Sequence, residues 1–232
     1  MSLGLLTAFI LLVPWTDGVL GEGQNVFSTA YPDPERLSSD IAAFEAADAE
    51  AMPPQDATLC IGSSSMRMWH ATIARDLEPL TVIPRGFGGS TMYDVIHFAP
   101  RIVLPYRPET ILLYEGDNDI DFGVSPGEFM AAFRAFVSLV HRELPATRLF
   151  VISIKPSGAR WAKWSAMREA NKMLRMDCAS DTSLTYIDVA KLLLGDDGLP
   201  REEFYIEDRL HLSPLGYEVW SKAIAEVLVG GD

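Results

Sequence analysis

The residues able to do chemistry in this 232-residue chain fall in four short segments, each beside an apolar run or a helix start. The first, Gly62-Ser63-Ser64-Ser65, follows the run Thr58 to Ile61. Glycine lets a chain turn sharply off a strand, and a serine at that tip can project its hydroxyl into a cleft near the positive end of the next helix. Serines in such a turn also serve simply as helix caps. The second segment, Arg85-Gly86-Phe87-Gly88-Gly89-Ser90-Thr91, has enough glycine for backbone N–H groups to approach a ligand closely. It lacks the lysine of a Walker loop and does not match the dinucleotide fingerprint. The third, Glu115-Gly116-Asp117-Asn118-Asp119, crowds acid and amide side chains together, and caps or Asx turns would account for one or two of them. The fourth is Asp208-Arg209-Leu210-His211, directly ahead of Ser213-Pro214. An Asp three residues before a His lets the carboxylate accept from Nδ1–H and leaves Nε2 free to take a proton. Such a pair could instead orient a metal ligand, but no further cluster of His or Cys accompanies it.

Five apolar runs would carry these segments: Thr58 to Ile61, Thr81 to Ile83, Thr110 to Tyr114, Leu149 to Ile154 and Leu184 to Val189. They are continuous rather than alternating, as in parallel strands covered on both faces. Between them lie amphipathic helices. One has Leu37, Ile41, Phe44 and Ala47 on a single face and stops at Pro53-Pro54. Another opens on Ser125-Pro126-Gly127-Glu128, a cap, a first-turn proline and a capping-box Glu, and continues with Phe129, Phe133, Phe136, Val137 and Val140. The last starts at Ser213-Pro214 and turns Tyr217, Trp220, Ile224, Val227 and Leu228 inward. The expected fold is α/β, a three-layer αβα sandwich around a five-stranded parallel sheet of flavodoxin-like type. Ligands bind such sheets at the carboxyl ends of the strands, where the four segments fall. Lys155, Arg160 and Trp161 follow the fourth run, at the cleft or on a solvated loop. His141 suits a helix C-terminus, while His70 and His97 have no carboxylate at a suggestive spacing.

Composition narrows the classes. Hydrophobic residues make up 48% and charged residues 22%, which fits a folded globular domain and excludes disorder. A net charge of −13 repels phosphate backbones, so nucleic acid is not an expected partner. Cys60 and Cys178 are too few for a disulfide framework or a cysteine-built zinc site, and Cys60 reads as a buried small hydrophobe. Residues 1–21 hold an apolar run, Leu3 to Val13, too short to span a bilayer but of the length of a signal-peptide core, although no Lys or Arg precedes it. The expectation is a signal peptide over 1–21, one domain over 22–232, no stable membrane span, and a secreted or periplasmic location. A packed N-terminal helix would leave the protein in the cytoplasm.

Taken together and in order, the four segments resemble the sequence blocks of the SGNH hydrolases, the GDSL lipase/esterase family. Cys60 to Ser65 resembles the serine block, with Ser64 in the nucleophile position, and Gly86 to Thr91 the glycine block, with Gly89 in the oxyanion position. Gly116-Asp117-Asn118-Asp119 supplies Asn118, and the final block supplies Asp208 and His211. The likeness runs from about residue 57 to the C-terminus. It implies a serine hydrolase with catalytic Ser64, Asp208 and His211, and an oxyanion hole from the Ser64 and Gly89 N–H groups and the Asn118 amide. No metal or organic cofactor is implied. Two positions depart from the family pattern: Ser63 stands where Asp usually precedes the nucleophile, and Pro84 where Asn is common. Gly-Ser-Ser-Ser in place of Gly-Asp-Ser is similar to a bacterial subgroup that also has segments like Ser153-Ile154-Lys155-Pro156-Ser157. The expected substrate is a small-molecule or carbohydrate ester, with short acyl chains favoured. A carbohydrate O-deacetylase and a lysophospholipase are alternatives within the family, and a non-catalytic ligand-binding module is an alternative outside it. A nucleotide or phosphate binder is disfavoured by the acidic balance and the missing lysine.

Overall fold

In the computed structural model, which describes residues 28–230, the apolar runs become five short strands. They are β1 (Thr58–Gly62), β2 (Val82–Gly86), β3 (Thr110–Tyr114), β4 (Arg148–Ile152) and β5 (Leu184–Ile187). All neighbours pair in parallel, in the order β2-β1-β3-β4-β5. The order reverses direction between β1 and β3, and the crevice at such a switch point is where doubly wound sheets bind ligands. The helices are α1 (Ser38–Glu50), α2 (Ser64–Trp69), α3 (Ile73–Asp76), α4 (Met92–Ile102), α5 (Asp117–Asp121), α6 (Pro126–Glu143), α7 (Trp164–Ser180) and α8 (Pro214–Leu228).

Alternation along the strands sorts the core into two layers. Leu59, Ile61, Ile111 and Leu113 face α1, α4, α6 and α7 through Ile41, Phe98, Phe133 and Leu174. Cys60, Leu112 and Tyr114 face α2, α3 and α8 through Trp69, Ile73, Trp220 and Ile224. The α/β sandwich with a five-stranded parallel sheet is therefore the observed fold. The Ser125–Glu128 capping box is formed in both directions, and Cys60 and Cys178 are buried free thiols.

Some boundaries differ from expectation. β2 begins at Val82 and runs through Pro84 and Arg85 to Gly86. It lies at the sheet edge, where a proline costs no interior ladder bond, and Arg85 is neutralised by Asp48 and stacked on Phe44 and Tyr106. β4 and β5 end at Ile152 and Ile187, earlier than their apolar runs, and past those ends the Ser153 hydroxyl accepts from the Val189 and Ala190 N–H groups in place of a ladder bond. Ala47 is exposed rather than part of the α1 contact face. The signal-peptide reading over 1–21 lies outside the described residues. Among the described residues, no helix is long and apolar enough to cross a membrane.

Candidate active site

Three strand tips and one C-terminal loop converge on Ser64. Gly62 ends β1 at φ +146, with Tyr114 so close that an added Cβ would sit 2.1 Å from its carbonyl oxygen. Only glycine fits there, and the chain swings from it into the first turn of α2, which begins at Ser64. Ser64, as the first helical residue, has no intrahelical acceptor for its N–H. Its Oγ lies 2.8 Å from His211 Nε2, and His211 Nδ1 lies 2.6 Å from Asp208 Oδ2. The Asp208–His211 pair is built by a local turn. Asp208 Oδ1 accepts from the Leu210 and His211 N–H groups at 2.9 Å each, and Arg209 takes φ +56. Burial works against the Asp208 charge, yet hydrogen bonds from the His211 ring and from the two backbone N–H groups hold its carboxyl at about 2.

Gly89 and Asn118 close the other side. Gly89 has φ +79, and a side chain there would meet nothing within 4 Å, so the backbone faces open space. Asn118, in the first turn of α5, donates from Nδ2 to the Ser90 carbonyl at 2.8 Å. The primary amide has a second N–H, which this bond leaves over. The structure thus brings the five sequence-predicted residues Ser64, Gly89, Asn118, Asp208 and His211 to the carboxyl end of one sheet.

Beneath this surface lies a polar layer that sequence patterns hid. Ser90 Oγ donates to Glu115 Oε1 at 2.5 Å, and Asp119 Oδ1 accepts from Met92 N–H and Tyr31 Oη–H at 3.0 Å each. Burial pushes the Glu115 carboxyl far above the ordinary range, with Asp119 adding to the effect. Burial raises Asp119 to about 7. Lys155 is neither cleft-lining nor solvated. It is 1% exposed, with its ammonium 3.2 Å from Asp117 Oδ2. Arg160 reaches the same carboxylate at 3.3 Å and Asp121 at 3.2 Å. Burial opposes the Asp117 charge, but Lys155 and Arg160 outweigh it and hold the carboxyl low. Ser63, the departure from the family pattern, donates to that same Asp117 at 3.4 Å. Pro84, the other departure, sits inside β2 opposite Cys60, away from the turn.

Two histidines do more than their spacing suggested. His70 Nε2 accepts from the Gly86 N–H at 2.9 Å, which requires a neutral ring. Burial, helped by Arg85 and Arg67, lowers it to about 4. His97 meets Glu35 at 3.0 Å, a carboxylate too distant in sequence to pair by inspection. No group of His, Cys, Asp and Glu among the described residues is arranged to hold a metal ion.

The model of the GDSL-like Lipase/Acylhydrolase family matches residues 55–219. No curated protein matches the chain. Solved structures share its fold at low identity. A Streptococcus pneumonia protein described as a platelet activating factor is 20% identical with a TM-score of 0.73, over 84% of this chain and 93% of that one. A Bacteroides fragilis protein described as an acylhydrolase is 17% identical with a TM-score of 0.71, over 87% and 99%. An acetyl xylan esterase is 17% identical with a TM-score of 0.63, over 74% and 99%.

Proposed function

The chain belongs to the GDSL-like lipase/acylhydrolase family, and we propose that it hydrolyses carboxylic esters through Ser64, with short acyl groups preferred. The observation that carries this reading is the continuous row Ser64 Oγ, His211 Nε2, His211 Nδ1 and Asp208 Oδ2, at 2.8 and 2.6 Å. His211 takes the Ser64 proton as Oγ attacks the ester carbonyl, and Asp208 fixes the tautomer and stabilises the imidazolium. The tetrahedral oxyanion is met by the Ser64 and Gly89 N–H groups and the spare Asn118 amide N–H. Collapse expels the alcohol, which takes the proton back from His211 and leaves an acyl ester on Ser64. Water, deprotonated by His211, then releases the acid. The Gly-Ser-Ser-Ser subgroup assignment is part of the same proposal, with the Ser63–Asp117 contact bracing the loop that an Asp would otherwise support.

Two clefts border the loop from Ile206 to Leu212 that carries Asp208 and His211, and they keep two narrower readings in view. Beyond Asp208, a cleft of about 400 Å³ is lined by Trp161, Arg209, Glu202 and Asp197, an aromatic face with a polar rim that suits a sugar. It supports the carbohydrate O-deacetylase reading. Between α2 and α8, a cleft of about 540 Å³ has an apolar side of Met68, Ile206, Leu212, Pro214 and Tyr217, which suits an acyl chain, facing a polar side of Thr72, Arg75, Asp76 and Glu218. It supports the lysophospholipase reading. Hydrolysis rates on p-nitrophenyl acetate, acetylated xylo-oligosaccharides and a lysophospholipid separate the three. No turnover of any ester, and no labelling of Ser64 by a fluorophosphonate, would instead favour a non-catalytic binding module. Export is a further proposal, checked by the N-terminal sequence of the protein recovered after expression.

A further inference from the structure

Residues 28–50 precede the stretch that matches the family, yet they reach the glycine loop. Arg36 lies just before α1 and reaches that loop. Its Nη2 donates to the Gly89 carbonyl at 3.1 Å, and its two terminal nitrogens grip Asp94 at 2.7 and 2.6 Å. A further bond from Nη1 to the Asp33 carbonyl at 2.9 Å fixes the guanidinium from behind. Asp94 is fully buried and itself holds Thr91, accepting from its N–H at 2.8 Å and its hydroxyl at 2.7 Å. Tyr31, from the same segment, reaches Asp119, which in turn accepts from Met92.

The loop needs such a hold. Gly86 and Gly88 are packed against Arg67, whereas Gly89 faces open space at φ +79, which sets how the Gly88–Gly89 peptide and its N–H are turned. Ser90 is pinned on one side by Glu115 and Asn118. Among the described residues, Arg36 supplies the side-chain hydrogen bond to the Gly89 peptide on the other side. A planar guanidinium can serve a carboxylate bidentately and a carbonyl with the same fork, whereas an ammonium cannot do both.

We infer that Arg36 is a positioning residue for the oxyanion site: it ties the Gly89–Ser90 peptide to Asp94, and with that peptide held the φ of Gly89 sets the Gly88–Gly89 peptide so that the Gly89 N–H points at the charge developing beside Ser64. The inference rests on the ester-hydrolase reading above and extends the active-site machinery to a segment outside the family match. A misaimed N–H weakens transition-state binding more than substrate binding, so the loss belongs in kcat.

The test measures kcat and KM on p-nitrophenyl acetate for the full chain, together with the rate of Ser64 labelling by an aryl phosphonate. Arg36→Ala is expected to lower kcat on the order of tenfold to a hundredfold, below the cost of deleting an oxyanion donor outright, with KM within about twofold. Phosphonate labelling should slow in parallel, because its transition state builds the same oxyanion, and Arg36→Lys should recover part of the loss. If Arg36→Ala folds poorly because Asp94 is left charged and unpaired, Arg36→Met with Asp94→Asn removes both charges and should show the same kcat loss. Arg134→Ala, which breaks a surface pair with Asp177, is the control and should match wild type. Wild-type kcat in a folded Arg36→Ala, or a loss confined to KM, overturns the inference while an inactive Ser64→Ala leaves the ester-hydrolase reading standing. An active Ser64→Ala removes that reading and the inference with it.

Discussion

The two sides of the site are held by opposite means. On the oxyanion side, Gly89, Ser90 and Asn118 rest on buried groups: Glu115, Asp117, Asp119 and Asp94 are all nearly inaccessible, and each is bonded to a loop or to a cation. On the base side, Asp208 has a side chain 43% exposed, and its geometry comes chiefly from the turn between residues 208 and 211, with one distant tie from the Ala159 N–H to the Arg209 carbonyl at 3.1 Å. Donors that must meet a charge without reorganising gain from a stiff, dry support. A base that collects and returns a proton needs only the correct tautomer and reach, which a local turn supplies. The difference teaches that damage should travel differently on the two sides: through long-range packing on one, through a few neighbouring atoms on the other.

Substitutions can break that contrast. The largest effect belongs to the atom both sides share. Ser64→Ala should abolish hydrolysis and phosphonate labelling while circular dichroism stays native, and Ser63→Ala should retain most of the activity. An active Ser64→Ala alongside a dead Ser63→Ala would move the nucleophile. Next comes Asp208→Asn, expected to lower kcat on the order of 10³–10⁴ with a melting temperature close to wild type, because only tautomer control and a half-exposed charge are lost. Near-normal turnover in that variant would strike Asp208 from the base side. Asn118→Ala should lower kcat on the order of 10²–10³ with little change in KM, as removal of one oxyanion donor does.

Smaller effects sharpen the contrast. Burial pushes the Glu115 carboxyl towards its uncharged form, so Glu115→Gln, which keeps shape and polarity, should fold and turn over within a fewfold of wild type. Glu115→Leu leaves the Ser90 hydroxyl unpaired and should cost about 1–3 kcal/mol, read from denaturant midpoints. Equal behaviour of the two variants would show that the Ser90 bond is idle. The subtlest signal is in pH. Asp119 at about 7 favours the folded state when protonated, so its contribution fades as pH rises from about 4 to 7. His70 at about 4 favours the folded state when neutral, so its contribution fades as pH falls from about 6.5 to 4. The two slopes oppose one another. Relative to wild type, His70→Gln should gain thermal stability on acidification and Asp119→Asn should lose it. Parallel melting curves for all three proteins across pH 4.5–6.5 would refute both shifts.

The sequence made the exposed machinery easier to read than its support. Ser64, Gly89, Asn118, Asp208 and His211 stand in short ordered segments whose spacing is local, and the fold brings them to one sheet end. Strand alternation with helices was legible for the same reason. β2 was cut short because Pro84, Arg85 and Gly86 look like loop; edge position and the Asp48 partner make them strand, and neither is visible along the chain. The sequence leaves Lys155 at the cleft or on a solvated loop because nothing nearby along the chain offers Asp117, 38 positions away. His70, Tyr31 and Arg36 carry no signal along the chain on the same ground, since their partners at Gly86, Asp119 and Asp94 are set by how layers stack.

Ser64 and His211 lie 147 positions apart, and that interval has a consequence in time. Chains emerge from the ribosome N-terminus first, at about 5–20 residues per second, so roughly 7–30 s separates synthesis of the nucleophile from synthesis of its base. Through that interval a nascent chain carries the serine, the glycine loop and the amide, but nothing to draw off the proton. In the proposed mechanism, hydrolysis begins only when the final loop and α8 have been made and docked against α2. If Ser64 and His211 act as proposed, catalytic competence is a completion signal: an arrested or C-terminally truncated chain would be inert.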